Sequence, residues 1–148
     1  MWYTAHVHKR LAVTLLVLAC VTPAITQAQR CPILPEVTSP ENGAKLSSIK
    51  KVNGLAGNQG CLSTVNKVNL FIRSKSTQLF WNGKKWVPAP GSAAFVWLPT
   101  SLSSSTWSKS TGFPKGKDLP VGTYFIGVHA IGPNYASDGG KGVSIDIE

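Results

Sequence analysis

Alternation of apolar and polar positions is the dominant pattern of this chain, and it predicts β-strands. In residues 65–73, the even-numbered positions form a mainly aliphatic face and the odd-numbered positions form a mixed one. Residues 124–131 and 143–147 alternate in the same way, and the second of these has a polar outer side. After residue 28, no stretch of ten positions keeps the spacing of an amphipathic helix without an interrupting Gly, Pro or run of β-formers.

Turn signals separate several further short strands. Asn82 and Gly83 lie between the apolar residues 79–81 and 86–87, and an Asn-Gly pair in that position is a strong hairpin signal. Other candidate strands are residues 33–38, 49–56, 95–98 and 106–110. Seven to nine short strands, with a turn every ten or so residues, predict an all-β fold, an antiparallel β-sandwich.

The N-terminus has the order of a secretory signal peptide. A basic-leaning segment at residues 6–10 precedes an apolar run at residues 11–21, and small polar residues follow. The apolar run is shorter than the roughly 20 residues that a membrane-spanning helix needs. We therefore predict a signal peptide over residues 1–28, cleaved after Ala28, and one exported domain, secreted or at the cell surface or in the periplasm, over residues 29–148.

Two alternatives keep the N-terminal segment in another form. Residues 17–20 resemble a bacterial lipobox, in which Cys20 is acylated and becomes the first mature residue. In the second alternative, residues 11–21 remain attached as an anchor helix. All three interpretations export the rest of the chain, and only the two alternatives attach it to a membrane.

The composition fits one exported domain of ordinary size. The 148 residues exclude a large multidomain enzyme, and 43% hydrophobic residues with 14% charged residues argue against a disordered chain. The predicted mature chain keeps 13 basic and 6 acidic residues, a formal charge of +7. It also keeps two cysteines, Cys31 and Cys61, and an even pair in an exported protein predicts one disulfide.

Closing the loop between these cysteines would stabilise the fold by roughly 3 to 4 kcal/mol. Two free thiols are the alternative. Two cysteines and one histidine do not supply the four ligands of a zinc site, so we predict no metal.

Several motifs follow one another along the chain in a recognisable order. The most specific are Phe80-Trp81-Asn82-Gly83-x-x-Trp86 and Leu119-Pro120-x-Gly122-x-Tyr124-x-Ile126, and shorter ones are Ser39-Pro40-x-x-Gly43, Val52-Asn53-Gly54-Leu55-Ala56, Trp97-Leu98 and Trp107. In this order they resemble the motifs of bacterial immunoglobulin-like modules of exported surface proteins. The resemblance covers about residues 36–147. It implies a sandwich similar to cadherin-like and fibronectin type III domains, with a tyrosine corner at the start of the penultimate strand.

The family pattern and the aliphatic strand faces together give a predicted core. Its members are Val68, Leu70, Ile72, Trp97, Trp107, Tyr124, Ile126 and Val128. Two departures from the family matter. Residues 132–140 lack the Asp-x-x-Gly-Asn type of turn that is common there, and the chain holds one module without a tandem copy.

Catalytic motifs are absent from the sequence. The predicted mature chain has one histidine, His129, in a predicted strand, and its six acidic residues are scattered through turns and termini. No Gly-x-Ser-x-Gly elbow and no Gly-rich phosphate-binding motif occurs. We therefore predict a protein that is not an enzyme and needs no cofactor, with His129 structural or at the surface.

Basic residues next to aromatic ones give the clearest candidate for a binding site. The candidate residues are Trp81, Lys84, Lys85 and Trp86 in the predicted hairpin, and Lys115 and Lys117 in a later loop. Such a surface could stack on sugars or attract an anionic polymer. The other interpretation, which the family pattern favours, is that these tryptophans pack in the core. The remaining lysines are spread along the chain, and this spread, together with export, predicts no nucleic-acid partner.

The long connections are the other candidate contact surfaces. Residues 88–94, 101–105 and 111–119 are predicted loops, and loops on a rigid sandwich often carry recognition. The expected function is an exported, non-catalytic binding or adhesion module that contacts a protein partner or an envelope component such as a polysaccharide. The alternative is a carbohydrate-binding accessory protein that uses the Trp hairpin.

Overall fold

A computed structural model describes residues 34–57, 65–92, 94–132 and 139–148. The predicted signal peptide, Cys20 and the predicted Cys31–Cys61 disulfide lie outside these residues. No helix in the described ranges is long and apolar enough to cross a bilayer.

Two sheets make up the described part of the chain. The smaller sheet has the strand order β1 (Glu36–Ser39), β3 (Val52–Leu55), β9 (Thr106–Lys109) and β8 (Ser101–Ser103). The larger sheet has the order β2 (Ala44–Leu46), β11 (Val143–Ile147), β10 (Gly122–Ile131), β4 (Lys67–Ser74), β5 (Phe80–Trp81) and β6 (Trp86–Val87), and β7 (Leu98–Pro99) also pairs with β4. Only β2 and β11 pair in parallel among the described strands. The prediction of an all-β chain with antiparallel sheets is confirmed in this form.

The described residues form eleven strands, compared with the seven to nine predicted. The two strands beyond the nine candidates are β2 and β8, which the sequence pattern missed. Residues 101–105 were expected to form a loop, and this expectation is wrong for β8. Serine has little strand preference of its own, but β8 pairs with β9 at three residue positions, so tertiary pairing decides its conformation.

Side chains from both sheets share one buried core. Val37, Val52 and Trp107 contribute from the smaller sheet, and the inward faces of β4, β10 and β11 contribute from the larger one. Seven of the eight predicted core residues lie in it, namely Val68, Leu70, Ile72, Trp107, Tyr124, Ile126 and Val128. Trp97 does not, because its side chain is 36% exposed. Leu98 points into the core, and neighbouring residues of an extended chain point to opposite faces.

The hairpin between β5 and β6 forms at the predicted Asn-Gly turn. Phe80 pairs with Val87 and Trp81 with Trp86. The Oδ1 atom of Asn82 accepts hydrogen bonds from the backbone N–H groups of Lys84 and Lys85, at 3.0 and 2.9 Å. Gly83 has a φ of 93°, a left-handed conformation that glycine adopts without steric cost.

Tyr124 fixes the start of β10 through its hydroxyl group. The side chain is 2% exposed, and the hydroxyl donates a 2.6 Å hydrogen bond to the Pro120 carbonyl, four residues upstream. Burial raises the pKa of this phenol above its ordinary value.

We expect Tyr124→Phe to lower the free energy of unfolding by about 1 kcal/mol at neutral pH, because one buried hydrogen bond is lost. A second effect depends on pH. The folded phenol keeps its proton to a higher pH than the unfolded one, so the wild type should lose stability as the pH rises above about 10. Urea denaturation of both proteins between pH 7 and 11 measures this. The Tyr124→Phe protein should lack that part of the alkaline loss, and stability curves that stay parallel to pH 11 would contradict the assignment.

Candidate binding site

The outer face of the larger sheet, opposite the core, carries aromatic side chains. In the pairing of β4 with β10, Phe71 lies opposite Gly127, and Arg73 lies opposite Phe125. The same face continues to His129 on β10. When one face of a sheet meets water, the side chains on that face are usually polar. Phe71 on this face is apolar and only 7% exposed, so other groups cover it. The larger sheet is therefore covered on both sides at its centre.

Five aromatic rings form what we call the outer aromatic cluster: Phe71, Phe80, Phe95, Trp97 and Phe125. The Phe71 ring lies at its centre, with centroids 4.6 Å from Phe95, 5.5 Å from Trp97, 5.6 Å from Phe80 and 5.8 Å from Phe125. These separations are in the range of favourable aromatic pairs.

Gly127 allows the Phe71 ring to lie against the sheet. A Cβ atom at this position would overlap the Phe71 ring. Glycine inside a strand often marks a place where another group approaches the backbone closely, and here that group is the facing aromatic ring. The local sequence thus positions the central ring of the cluster.

An irregular segment, residues 94–97, crosses the outer face just before β7. Its two aromatic residues are the exposed members of the cluster, with 41% of Phe95 and 36% of Trp97 accessible. The Trp97 ring stacks on the ring of His129, with centroids 4.9 Å apart and planes inclined by 29°. Phe95 stacks on Phe71 with planes inclined by 30°.

A cavity of about 340 Å³ opens between this segment and the sheet, and we call it the aromatic cleft. It is lined by Phe71, Phe95, Trp97, Phe125 and His129, with Gly127, Val128, Gly139 and Gly140. Its volume is at the lower end of the range for small-ligand sites. The lining gives it flat apolar walls with one imidazole among them.

Two buried nitrogen atoms on this face have no hydrogen-bond partner within the described structure. They are Nδ1 of His129, which lines the cleft, and Nε of Arg73, which is next to Phe125 in the sheet register. An unpaired buried polar atom costs roughly 1–3 kcal/mol, so such atoms are uncommon and call for an explanation.

The tryptophans of the predicted hairpin are buried or half-buried and do not form an exposed platform. Trp81 is 4% exposed, and its Nε1–H donates to the Gly112 carbonyl at 2.7 Å. Trp86 is half-buried against the core, and its Nε1–H donates to the Asp118 carbonyl at 2.6 Å. The two rings meet edge to face, inclined by 61°. The expectation of a sugar-stacking surface on Trp81 is therefore wrong, because its ring is enclosed by the core and by residues 111–119.

The two indole hydrogen bonds also explain where the predicted basic residues lie. They tie the 111–119 segment to the hairpin, so the loop with Lys115 and Lys117 lies beside β5 and β6. All four lysines, with Lys84 and Lys85 in the hairpin turn, are exposed. The structure thus brings the two basic segments together, and the two tryptophans hold these segments to each other through their indole hydrogen bonds.

In the described part of the structure, no serine hydroxyl or carboxylate makes a hydrogen bond with Nδ1 of His129. A hydrolytic triad needs such a partner to orient the imidazole. Within the described ranges, no three potential ligands among His, Cys, Asp and Glu gather closely enough to hold a metal ion.

The sequence prediction missed the aromatic cleft, although a signal for it was present. Phe71 falls on the mixed face of the predicted strand at residues 65–73, and Phe125 and His129 share the non-core face of residues 124–131. Large aromatic side chains at positions that point away from the core are a signal that other groups cover that face of the sheet. The position of Phe95 and Trp97 over that face depends on the pairing of β7 with β4, which the local pattern does not reveal.

Comparison with known protein families gives no match for this chain, and no curated protein matches its sequence. The geometry of the aromatic cleft is therefore the main basis for inferring a function.

Proposed function

We propose that this chain is an exported, non-catalytic binding module with an immunoglobulin-like β-sandwich, and that it contacts its partner through the aromatic cleft. The partner is a protein or another component of the cell envelope. The observation that carries the proposal is the exposure of Phe95 and Trp97 beside a cavity. Exposed aromatic surface at a concave site is typical of binding surfaces.

Two features support the immunoglobulin-like part of the proposal. The two sheets share one core, as the layers of a sandwich do. The Tyr124 hydroxyl donates to a backbone carbonyl four residues upstream, which is the geometry of a tyrosine corner. Pro120 and Tyr124, the two residues of this hydrogen bond, both belong to the Leu119-Pro120-x-Gly122-x-Tyr124 motif that carries the resemblance in sequence.

The lining of the cleft supports binding over catalysis. Aromatic rings, glycines and one histidine supply contact surface and hydrogen bonds. General acid–base chemistry needs a positioned acid and base with a reacting group between them. The described carboxylates of Glu36, Glu41, Asp118, Asp146 and Glu148 are not in the lining.

Export and the Cys31–Cys61 disulfide are proposed from the sequence. Intact-mass measurement of the exported chain, before and after reduction, tests both points together. A chain that begins after Ala28 and gains the mass of two hydrogen atoms on reduction is expected. A mass that corresponds to acylation at Cys20, or no change on reduction, would overturn one part or the other.

We expect Trp97→Ala to abolish most of the retention of envelope material by the immobilised mature protein. Removal of the indole takes away one of the two exposed rings of the cleft, the one that stacks on His129. The matched control is Val121→Ala, since Val121 is 79% exposed and does not line the cleft. Retention is measured as protein and glycan bound at moderate salt. Equal retention by the wild type and Trp97→Ala, with near-UV circular dichroism showing both folded, would contradict the proposal.

A further inference from the structure

The charges around the larger sheet restrict what the aromatic cleft can hold. Neither a carboxylate nor a lysine lines it in the part of the chain that the structure describes. The basic residues Lys45, Lys50 and Lys51 line a different, polar groove of about 430 Å³, together with serines. Arg73 lies on the same face, opposite Phe125 in the sheet register, but it is not among the lining residues. The described lining therefore offers no lysine, arginine or carboxylate to pair with a charged ligand, and it favours a neutral occupant.

The apolar walls of the cleft require an occupant with a flat apolar face. Phe95 and Trp97 line the cavity and are its two exposed rings. Aromatic walls of this kind pack against planar groups and against the C–H faces of sugar rings. A volume of about 340 Å³ limits the buried part of the ligand to a group of small-molecule size.

The unpaired nitrogen of His129 adds a second requirement. Nδ1 is buried without a partner, and a neutral imidazole nitrogen either donates or accepts according to its tautomer. A hydroxyl group can do both, so it pairs with Nδ1 in either tautomer. Because Nδ1 is covered, contact with it needs a side-chain adjustment, and rotamer changes of that size are common on binding.

A pyranose ring meets both requirements. Resting on the proposed function, we infer that the aromatic cleft binds a pyranose ring of a neutral glycan, which packs one C–H face on Trp97 and offers hydroxyl groups to His129. A pyranose has both properties, an apolar face and a polar rim of hydroxyls. An apolar peptide side chain would cover the rings but would leave Nδ1 unpaired, so the sugar satisfies more of the site.

The test uses soluble neutral hexasaccharides of glucose, N-acetylglucosamine, xylose, mannose and galactose as probes. Each is titrated into the mature protein by calorimetry, with heteronuclear NMR to locate the site. Three variants accompany the wild type: Trp97→Ala removes the platform, His129→Phe keeps the stacked ring but removes the nitrogens, and Val121→Ala is the surface control. Near-UV circular dichroism establishes that each variant is folded.

We expect at least one probe to bind the wild type, with shifts centred on Phe71, Trp97 and His129. Trp97→Ala and His129→Phe should each weaken the affinity by about tenfold, and Val121→Ala should not change it. The affinity should be roughly the same at about 50 and about 500 mM salt, because no charge is neutralised on binding. A loss of affinity at high salt would assign the binding to the lysines and overturn the inference.

Failure of the inference is distinguishable from failure of the proposed function. If no probe binds, but the wild type retains an envelope protein that Trp97→Ala loses, the sugar assignment is wrong and the cleft remains a protein-binding site. If no probe binds and Trp97→Ala retains the same material as the wild type, both are wrong. Binding of a probe that Trp97→Ala and His129→Phe leave unchanged places the sugar elsewhere and overturns the inference alone.

Discussion

Trp107→Ala is expected to lower the free energy of unfolding by about 3–5 kcal/mol, the largest effect of any single substitution considered for this protein. Trp107 is 1% exposed and is the largest fully buried side chain among the described residues. Its Nε1–H donates a 3.0 Å hydrogen bond to the Leu55 carbonyl of the neighbouring strand. Truncation leaves a cavity between the sheets and removes this hydrogen bond. Urea denaturation measures the change in the free energy of unfolding.

A second substitution at the same position separates the two contributions. Trp107→Phe keeps most of the ring volume but removes the indole N–H, so it should cost less than Trp107→Ala and keep the protein folded enough to measure. Since small domains are stable by only about 5–15 kcal/mol, the alanine variant will be close to its unfolding threshold. A loss under 1 kcal/mol for Trp107→Ala would mean that Trp107 is not a central part of the core.

Gly54→Ala is expected to cost about 1–3 kcal/mol or more, although it adds a single methyl group. A Cβ atom at Gly54 would overlap the Glu36 carbonyl oxygen of β1 and would come within 2.8 Å of Cζ2 of Trp107. Gly54 pairs with Val37 on one side and with Trp107 on the other. Backbone atoms of a paired strand have little freedom to move away, so β1 has to separate from β3 or the new side chain has to stay strained.

The control is Gly91→Ala, in an exposed turn where an added Cβ would meet nothing within 4 Å. That variant should change the free energy of unfolding by less than about 0.5 kcal/mol. Both are measured by urea denaturation. Equal effects of the two substitutions would show that the close approach at Gly54 does not determine the pairing of β1 with β3.

Gly54 and Gly127 show that the residue type alone does not tell which group packs against a glycine in a strand. Both are glycines inside strands, and both lie where an aromatic ring comes close to the backbone. At Gly54, the closest atom belongs to the backbone of the paired strand β1, whereas at Gly127 it belongs to the side chain of Phe71. A glycine in a strand pattern signals a close approach, but only the tertiary structure shows which group approaches.

Local signals predicted β4, β10, β11 and the β5–β6 hairpin because the physical basis of those signals is local, whereas of the predicted strand at residues 95–98 only Leu98 lies in a strand. The period of two along β4, β10 and β11, the Asn82-Gly83 turn and the spacing from Pro120 to Tyr124 each depend on residues a few positions apart. Steric limits on the backbone and side-chain direction act over that distance. The short strands β2 and β8 lack such signals, and pairing with distant strands determines them.

The sequence by itself determined that this chain forms strands and where its main turns lie. Only the tertiary structure decided which tryptophan is buried and which is exposed. Trp81 and Trp97 each end a short apolar run or lie within one, yet the first is enclosed by the core and residues 111–119, and the second lies on the outer face beside His129. The physical reason is that alternation separates the two faces of a strand without saying what covers each. That depends on β7 and residues 94–97 meeting β4 and β10, which are about 30 residues away along the chain on either side.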